Sequence, residues 1–136
     1  MTDVLSIALS GLNAQQKRLT ASASNIAHAS TAGRVPDGAT SAKNATGVYT
    51  PMTVTLSSPS DGGGVQSTFS DKKDAVSLSY APTSPLANNE GMVATPQVDL
   101  AEEAVTAMES KTLFKANLSV LKTQDDMMGD LLDTLA

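Results

Sequence analysis

The sequence predicts an α+β fold, in which long N- and C-terminal helices pair as a coiled coil with a small antiparallel β unit between them. Two observations predict it. An apolar residue recurs at every seventh position at each end, and all six prolines lie between residues 34 and 96. A seven-residue period keeps a narrow stripe on one side of a helix, which requires a partner helix along its length. We expect residues 1–33 and 97–136 to form the coiled coil and residues 34–96 a small β-rich domain with long loops.

The first helix is predicted over residues 3–30. Its apolar series consists of Leu5, Leu12, Leu19 and Ile26. The other contact positions of this heptad are small or polar, which lets a partner helix approach closely; they are Ala8, Gln15, Ser22 and Ala29. Gly33 is expected to end the helix in a left-handed conformation, which glycine adopts at little cost.

The middle of the chain favours strands separated by turns. Three segments alternate or carry β-branched residues, namely Val48–Leu56, Val65–Phe69 and Ala75–Tyr80. The loop Ser57–Gly64 contains a proline and three glycines, which is typical of a hairpin tip. We interpret this part as a small antiparallel β unit.

The last helix is predicted over residues 99–135. Its seven-residue series is Leu100, Ala107, Phe114, Leu121, Met128 and Leu135. Asp99 followed by Glu102 is a variant of the capping box that begins a helix. Such a helix spans about 55 Å, at 1.5 Å per residue. The middle of the chain cannot cover that length, so the apolar side of the helix requires another helix.

Composition indicates burial against other chains. Aromatic residues make up 3% of the chain. Charged residues make up 17%, where ordinary domains have about 25%. Few large side chains are therefore available for a thick core of the chain's own.

Charge is uneven along the chain, whose formal net charge is −5. Residues 2–30 carry Lys17 and Arg18 against Asp3, whereas residues 97–136 carry eight acids against three bases. A slightly basic first helix and an acidic last helix attract each other weakly at a solvated surface. Basic residues do not cluster among aromatic ones, so nucleic acid is not an expected partner.

Targeting and redox signals are weak or missing. The chain has no cysteine, which excludes disulfides, zinc–thiolate sites and thiol nucleophiles. The apolar stretch Val4–Leu12 follows Asp3 and lacks a positively charged leader. No apolar run approaches the roughly 18 residues of a membrane span. We expect neither a cleaved signal peptide nor direct membrane insertion.

No residue pattern predicts a catalytic, cofactor-binding or metal site. His28 is the one histidine, and a metal would need further ligands beside it. The acidic pairs Glu102/Glu103 and Asp125/Asp126 are neighbours in sequence, so their side chains point about 100° apart on a helix. We interpret both pairs as parts of a solvated acidic face, and we expect no enzyme activity.

One segment, residues 23–31, is dense in small polar residues while still in helical register. Ser24, Asn25 and Thr31 can bond backbone groups where the helix gives way to a loop. Two interpretations stay open: a simple end of the helix, or a tight helix–helix contact with a polar cluster.

These residues carry a resemblance to a known family. Ser24-Asn25-Ile26-Ala27 followed by Ala29-Ser30-Thr31 resembles the S-x-N-I-A-N-x-x-T signature of bacterial flagellar rod and hook proteins. The second half resembles the proximal rod subunit type of the basal-body rod proteins, in Tyr80-Ala81-Pro82, Pro85-Leu86-Ala87, Glu90-Gly91-Met92-Val93, Pro96-Gln97-Val98-Asp99 and Lys115–Thr123. The chain departs from the family pattern at His28, Met92 and Leu113-Phe114.

The resemblance implies a structural subunit of a rod. Proteins of this family leave the cytoplasm through the flagellar type III export apparatus without a cleaved signal, and they assemble in the periplasmic space. They form a hollow helical tube that transmits torque in motility, with the paired terminal helices lining its inner wall. The implied partners are further copies of the chain, other rod proteins and the adaptor that joins the rod to the membrane ring.

The predicted interface residues follow from the apolar series and from the resemblance. Helix–helix and subunit contacts are expected at Leu5, Leu12, Leu19, Ser24, Asn25, Ile26, Leu100, Phe114, Asn117, Leu121, Met128 and Leu135. In particular, the large residues of the first series are expected to pack against those of the second. The alternative hypothesis is a soluble coiled-coil binding module, such as a regulator or an export chaperone.

Overall fold

The two ends of the chain form long helices that run side by side in opposite directions. The computed structural model describes residues 2–38, 41–42, 45–60 and 63–135. Helix α1 spans Thr2–His28. Near its C-terminal end, Ser22 contacts Glu103, and further back a Cβ on Gly11 would lie 2.8 Å from Nδ2 of Asn117. The pairing of the two terminal helices is therefore as predicted, and it is antiparallel.

Within the residues that the structure describes, five short strands follow α1. They are β1 (Gly33–Arg34), β2 (Met52–Ser57), β3 (Gln66–Asp71), β4 (Val76–Tyr80) and β5 (Met92–Pro96). Strands β1, β5 and β4 form a three-stranded antiparallel sheet, in which Ala94 pairs with both Gly33 and Leu78. Strands β2 and β3 form a separate antiparallel hairpin. The three predicted strand segments are confirmed with shifted bounds, whereas the prediction missed β1 and β5.

Gly33 corrects the predicted end of the first helix. Helix α1 ends at His28, and the amide of Thr31 closes a turn on the carbonyl of His28 at 3.0 Å. Gly33 then lies in β1 with an extended backbone, because it pairs with β5. This position requires glycine because there is no space for a side chain: a Cβ there would lie 2.6 Å from the Cβ of Val48.

The three-stranded sheet has a small core of its own. Val35, Val93 and Ala94 are at most 2% exposed. The hairpin of β2 and β3 instead lies along α1, where Lys17 donates to the carbonyl of Ser67 at 2.6 Å and Ser10 accepts from the amide of Val65 at 3.0 Å. The predicted hairpin loop connects these strands, but its residues 61–62 lie outside the described part of the chain.

Helix α2 spans Leu100–Leu135. The Asp99 carboxylate caps it by accepting hydrogen bonds from the amides of Ala101 at 2.9 Å and Glu102 at 3.2 Å, as predicted. Among the described residues, no helix combines the length and the apolar character that crossing a membrane requires.

The contact face of the helix pair agrees with the prediction at the small positions of α1 and differs from it at most of the large ones. Small and polar residues fill it at the expected seven-residue spacing, with Ala8, Gln15 and Ser22 on α1 and Glu103 and Ser110 on α2 all at most 8% exposed. The large residues of the predicted series mostly lie outside it. Small side chains allow the two backbones to approach closely, so the pair closes on this face and leaves the large side chains outside.

Candidate functional site

A cluster of buried polar side chains joins the two helices to the hairpin. We call it the Asn25–Glu103 cluster; it consists of Ser22, Asn25, Tyr49, Lys72 and Glu103. Glu103 is buried, with only 4% of its surface exposed. Its carboxylate accepts hydrogen bonds from the hydroxyl of Ser22 and the amide of Asn25, both at 2.8 Å. The ammonium of Lys72, 3.4 Å away, supplies the opposite charge.

Asn25 uses its whole hydrogen-bonding capacity. Its Nδ2 donates to the carbonyl of Met52 and to Glu103, each at 2.8 Å. Its Oδ1 accepts from the amide of Met52 and from the hydroxyl of Tyr49, each at 2.9 Å. An asparagine side chain offers two donors and an acceptor with two lone pairs. The site therefore fits this residue type, because no other side chain of this size bonds both groups of one peptide and a carboxylate.

Tyr49 and His28 close the outer side of the cluster. The tyrosine ring stacks on the His28 ring with centroids 4.4 Å apart. The hydroxyl also lies 3.0 Å from Oγ of Ser24. His28, where the chain departs from the family signature, thus contacts an aromatic ring. No group of three potential metal ligands occurs among the residues that the structure describes.

Lys72 brings the hairpin into the cluster. It follows the last residue of β3, and its backbone amide donates to the carbonyl of Pro51 at 2.8 Å. Its ammonium also lies 3.5 Å from Glu102, which is exposed. Hydrogen bonds to charged groups contribute about 1.5–3 kcal/mol each, and a buried charge that loses its partners costs more. The cluster therefore ties α1, α2 and the hairpin into one unit.

The cluster corrects one sequence interpretation. Glu103 was predicted to belong to a solvated acidic face, and it is buried, while Glu102 beside it is exposed. Of the two interpretations of residues 23–31, the geometry supports the tight contact with a polar cluster. The sequence does carry a signal for Glu103: it begins a polar series of period seven that continues with Ser110, Asn117 and Gln124.

Two polar atoms between the helices are unsatisfied. Oε1 of Gln15 and Oγ of Ser110 are buried without a hydrogen-bond partner in the described part of the chain. A buried polar group without a partner costs about 1–3 kcal/mol. The polar groups of this region, which lies seven residues along each helix from the Asn25–Glu103 cluster, are therefore less completely hydrogen-bonded than those of the cluster.

The predicted interface residues divide into three groups. Leu12 and Asn25 are buried. Ser24, Asn117 and Leu121 are half-buried. The remaining residues are at least 36% exposed: Leu5, Leu19, Ile26, Leu100, Phe114, Met128 and Leu135. Within one chain, the predicted packing of the large residues of one series against those of the other is therefore mostly not formed.

The exposed residues border grooves along the helix pair. Leu19 and Phe114 line one groove together with Leu118. On another side, Val4 lines a groove with Val120 and Met127. The two helices thus present apolar walls to the outside over much of their length.

Comparison of the sequence with known proteins identifies the family of the chain. A family model described as flagella basal body rod protein matches residues 5–33, and one described as flagellar basal body rod FlgEFG protein C-terminal matches residues 89–134. The flagellar basal-body rod protein FlgC of Salmonella typhimurium is 34% identical over 128 residues, which cover 94% of this chain and 92% of that protein. The chain belongs to the flagellar basal-body rod protein family. FlgC of Escherichia coli is 33% identical over 130 residues, with 94% and 92% covered, and FlgC of Agrobacterium fabrum is 33% identical over 134 residues, with 95% and 91% covered.

Family membership gives the chain its role as a structural rod subunit of the flagellar basal body. The resemblance stated from the sequence is confirmed, and the alternative of a soluble regulator or chaperone is not favoured. The two matched segments contribute Asn25 and Glu103 to the cluster, whereas Tyr49 and Lys72 lie between them.

Proposed function

We propose that this rod protein polymerises, as a proximal rod subunit, into the wall of a hollow helical shaft that transmits torque from the motor. The observation that carries the proposal is the exposure of large apolar side chains along both faces of a helix pair from a rod family. Each such side chain contributes about 1.5–3 kcal/mol when it is removed from water. The chain gains this free energy when assembly covers the exposed side chains.

The length mismatch of the two helices supports the same proposal. Ser22 opposes Glu103 and Gly11 opposes Asn117, so the start of α1 lies level with about residue 126 of α2. The rest of α2 extends past α1 and carries exposed Met128, Leu131, Leu132 and Leu135. An apolar helix end that projects from the subunit is an exposed patch of the kind that binds another chain.

The proposed partners and location follow the family resemblance. The chain would contact further copies of itself, other rod proteins and the adaptor between rod and membrane ring. It would reach the periplasmic space through the flagellar export apparatus without losing an N-terminal signal. Mass spectrometry of the chain in purified basal bodies tests the last point: a peptide beginning at Met1 or Thr2 supports it, and a trimmed N-terminus contradicts it.

Leu19→Asp tests the assembly surface. Leu19 is 43% exposed on α1, so a charge there leaves the folded monomer nearly unchanged but must lose its water when the proposed apolar contact forms. We expect normal amounts of chain, no rods and no swimming. The matched control is Leu56→Asp, because Leu56 is 44% exposed on the hairpin. Normal swimming of the Leu19→Asp strain would contradict the proposed surface.

A further inference from the structure

Helix α2 has two open flanks beside the side that α1 covers. Glu103, Ser110 and Asn117 mark the covered side, because Glu103 and Ser110 are buried and Asn117 lies against Gly11 of α1. A helix turns by about 100° per residue, so each flank lies about 90° around α2 from these residues. Each flank carries its own exposed apolar surface.

One flank forms a groove between the two helices, which we call the Phe114 groove. Leu19, Phe114 and Leu118 line it together with Gln15 and Ser110, whose buried oxygens lack a partner among the described residues. Its volume is about 510 Å³. The helix pair therefore does not fill this flank by itself.

The opposite flank carries a stripe of apolar side chains. We call it the outer stripe; it consists of Val105, Leu113, Val120 and Met127, which are 44–56% exposed. At about 100° per residue they fall within a face about 80° wide, whose centre lies about 180° around the helix from Leu118. The stripe and the groove of one copy therefore face away from each other, and they can meet only between copies.

Charged side chains on the two flanks have opposite signs. Within residues 100–124, the charged residues of α2 other than the buried Glu103 divide between an acidic outer-stripe flank, with Glu102 and Glu109, and a basic groove flank, with Lys111, Lys115 and Lys122. Glu109 points along the middle of the outer stripe, where it lies beside Val105 and Leu113. Lys111 and Lys115 border the Phe114 groove.

Glu109 and the two groove lysines cannot neutralise each other within one copy. Glu109 lies about 160° around the helix from Lys111 and about 120° from Lys115. None of the three forms an ion pair within the described part of the chain. A groove bordered by two cations is complementary to an apolar helix face that contains an acid, and this chain presents that face on its other flank.

We propose that the outer stripe of one copy of this chain packs into the Phe114 groove of a second copy, with Glu109 of the first beside Lys111 and Lys115 of the second. The inference rests on the proposed function and names its contact surface. Along the helix axis, Glu109 lies about 3 Å from the level of Lys111 and about 9 Å from that of Lys115, so parallel copies pair these charges with little axial shift. Because the two surfaces lie on opposite flanks, the contact is heterologous, and its repetition builds a ring or an open helical assembly.

Disulfide cross-linking between copies tests the contact directly. The chain has no cysteine, so every disulfide reports an engineered position. With Glu109 of one copy between Lys111 and Lys115 of the next, Leu118 in the groove lies opposite Leu113 of the stripe. Cells co-express the Leu118→Cys chain and the Leu113→Cys chain, and their basal bodies are oxidised. We expect a product of two chain masses.

Two controls make the cross-link specific. Cells that produce only one of the two variants should give no product, because neither position meets its own equivalent in a heterologous contact. The matched control replaces Leu113→Cys by Ser119→Cys, which is also exposed but lies about 120° around α2 from Leu113. We expect at least about tenfold less product with Ser119→Cys.

A charge exchange provides a second measurement that does not alter the apolar surfaces. Glu109→Lys alone, or Lys111→Glu with Lys115→Glu, places like charges at the contact, and each change is expected to reduce swimming about tenfold. All three substitutions together restore opposite charges and are expected to restore swimming. The matched control is Asp126→Lys, because Asp126 is exposed on the side of α2 away from both flanks; we expect less than about a twofold effect. A merely structural role of Glu109 would not produce the rescue.

The outcomes separate this contact from the proposed function. The disulfide between positions 113 and 118 and the charge rescue support the contact. Rods that contain the chain but form no such disulfide overturn it, as does a Leu118→Cys cross-link to a different rod protein. In both of those cases the chain is still a rod subunit, so the proposed function stands. Rods without the chain would contradict the proposed function instead.

Discussion

At the scale of single residues, Asn25 is the most constrained side chain of this rod protein. It bonds both backbone groups of Met52 on β2 and the Glu103 carboxylate on α2, and it is 1% exposed. Both donors of its amide are used, and both point to oxygen atoms. The side chain thereby fixes how the hairpin sits on the helix pair.

Asn25→Asp is expected to destabilise the fold strongly. The substitution removes both donors and places a second carboxylate against Glu103, so we expect a loss of about 2–4 kcal/mol in the free energy of unfolding. The matched control is Asn13→Asp, because Asn13 lies exposed on the same helix and is expected to change stability by less than about 0.5 kcal/mol. Urea unfolding of the purified chain measures both. Equal stability of the two variants would contradict the role given to Asn25.

Lys72 allows a second residue-scale prediction. It is the cation beside the buried Glu103, whereas Lys73 next to it is exposed. Lys72→Ala leaves the carboxylate without a counter-charge, and we expect it to destabilise the chain by about 1–3 kcal/mol more than Lys73→Ala. Adding Glu103→Gln to Lys72→Ala should recover part of the loss in the same unfolding measurement. A fully additive pair would refute the coupling.

The buried acid shows why residue-level prediction from sequence is limited. Charged residues are almost never buried unless they are paired. The partners of Glu103 are Ser22, Asn25 and Lys72, at separations of 81, 78 and 31 residues in sequence. Only the folded chain brings them together. Asn25 was found because it stands in a recognisable signature, and Glu103 was missed because it stands beside another acid.

At the scale of elements, periodicity predicted both long helices and the hairpin strands. The prediction missed β1 and β5 for a physical reason. Strand β1 has two residues, and β5 pairs on both edges, with β1 and β4, so its partners determine its conformation. The seven-residue period was also right, and the small positions expected on α1 are buried in the pair, but the large apolar series was wrongly expected to pack there. Large apolar residues mark the core of an isolated coiled coil, whereas here small and polar residues close the pair.

The helices are expected to be unevenly stable in a dilute monomer. The Asn25–Glu103 cluster holds the second half of α1, while residues 128–135 of α2 extend past the start of α1 and are exposed. Hydrogen exchange should therefore be at least about tenfold slower in amides of residues 20–28 than in those of residues 128–135. The exposed residues 128–135 are expected to become protected on assembly. Equal protection of both segments in the monomer would show that the cluster does not stabilise its end of the helix pair.

At the scale of the whole molecule, the chain combines a hydrogen-bonded cluster with large apolar residues exposed along both helices, Ile26 and Leu100 beside the cluster included. Near the cluster, helices and hairpin are joined by hydrogen bonds and an ion pair. Away from it, the helix pair exposes Leu5, Leu9 and Val4 on α1 and the apolar residues from Met128 to Leu135 on α2. The cluster joins the helices to the hairpin, and the exposed residues are the surface that the proposed assembly would use. This arrangement suits the proposed role of a rod subunit that passes force to its neighbours.

In the proposed assembly, the outward apolar residues of the helix pair become buried between chains. An image of the assembled rod at side-chain resolution tests it most directly. We predict that Leu19, Phe114 and Met128 are mostly covered by side chains of neighbouring subunits, while the bonds of Asn25 to Met52 and Glu103 persist. Helix pairs that stay separated by solvent, with these three residues as exposed as in the free chain, would contradict it.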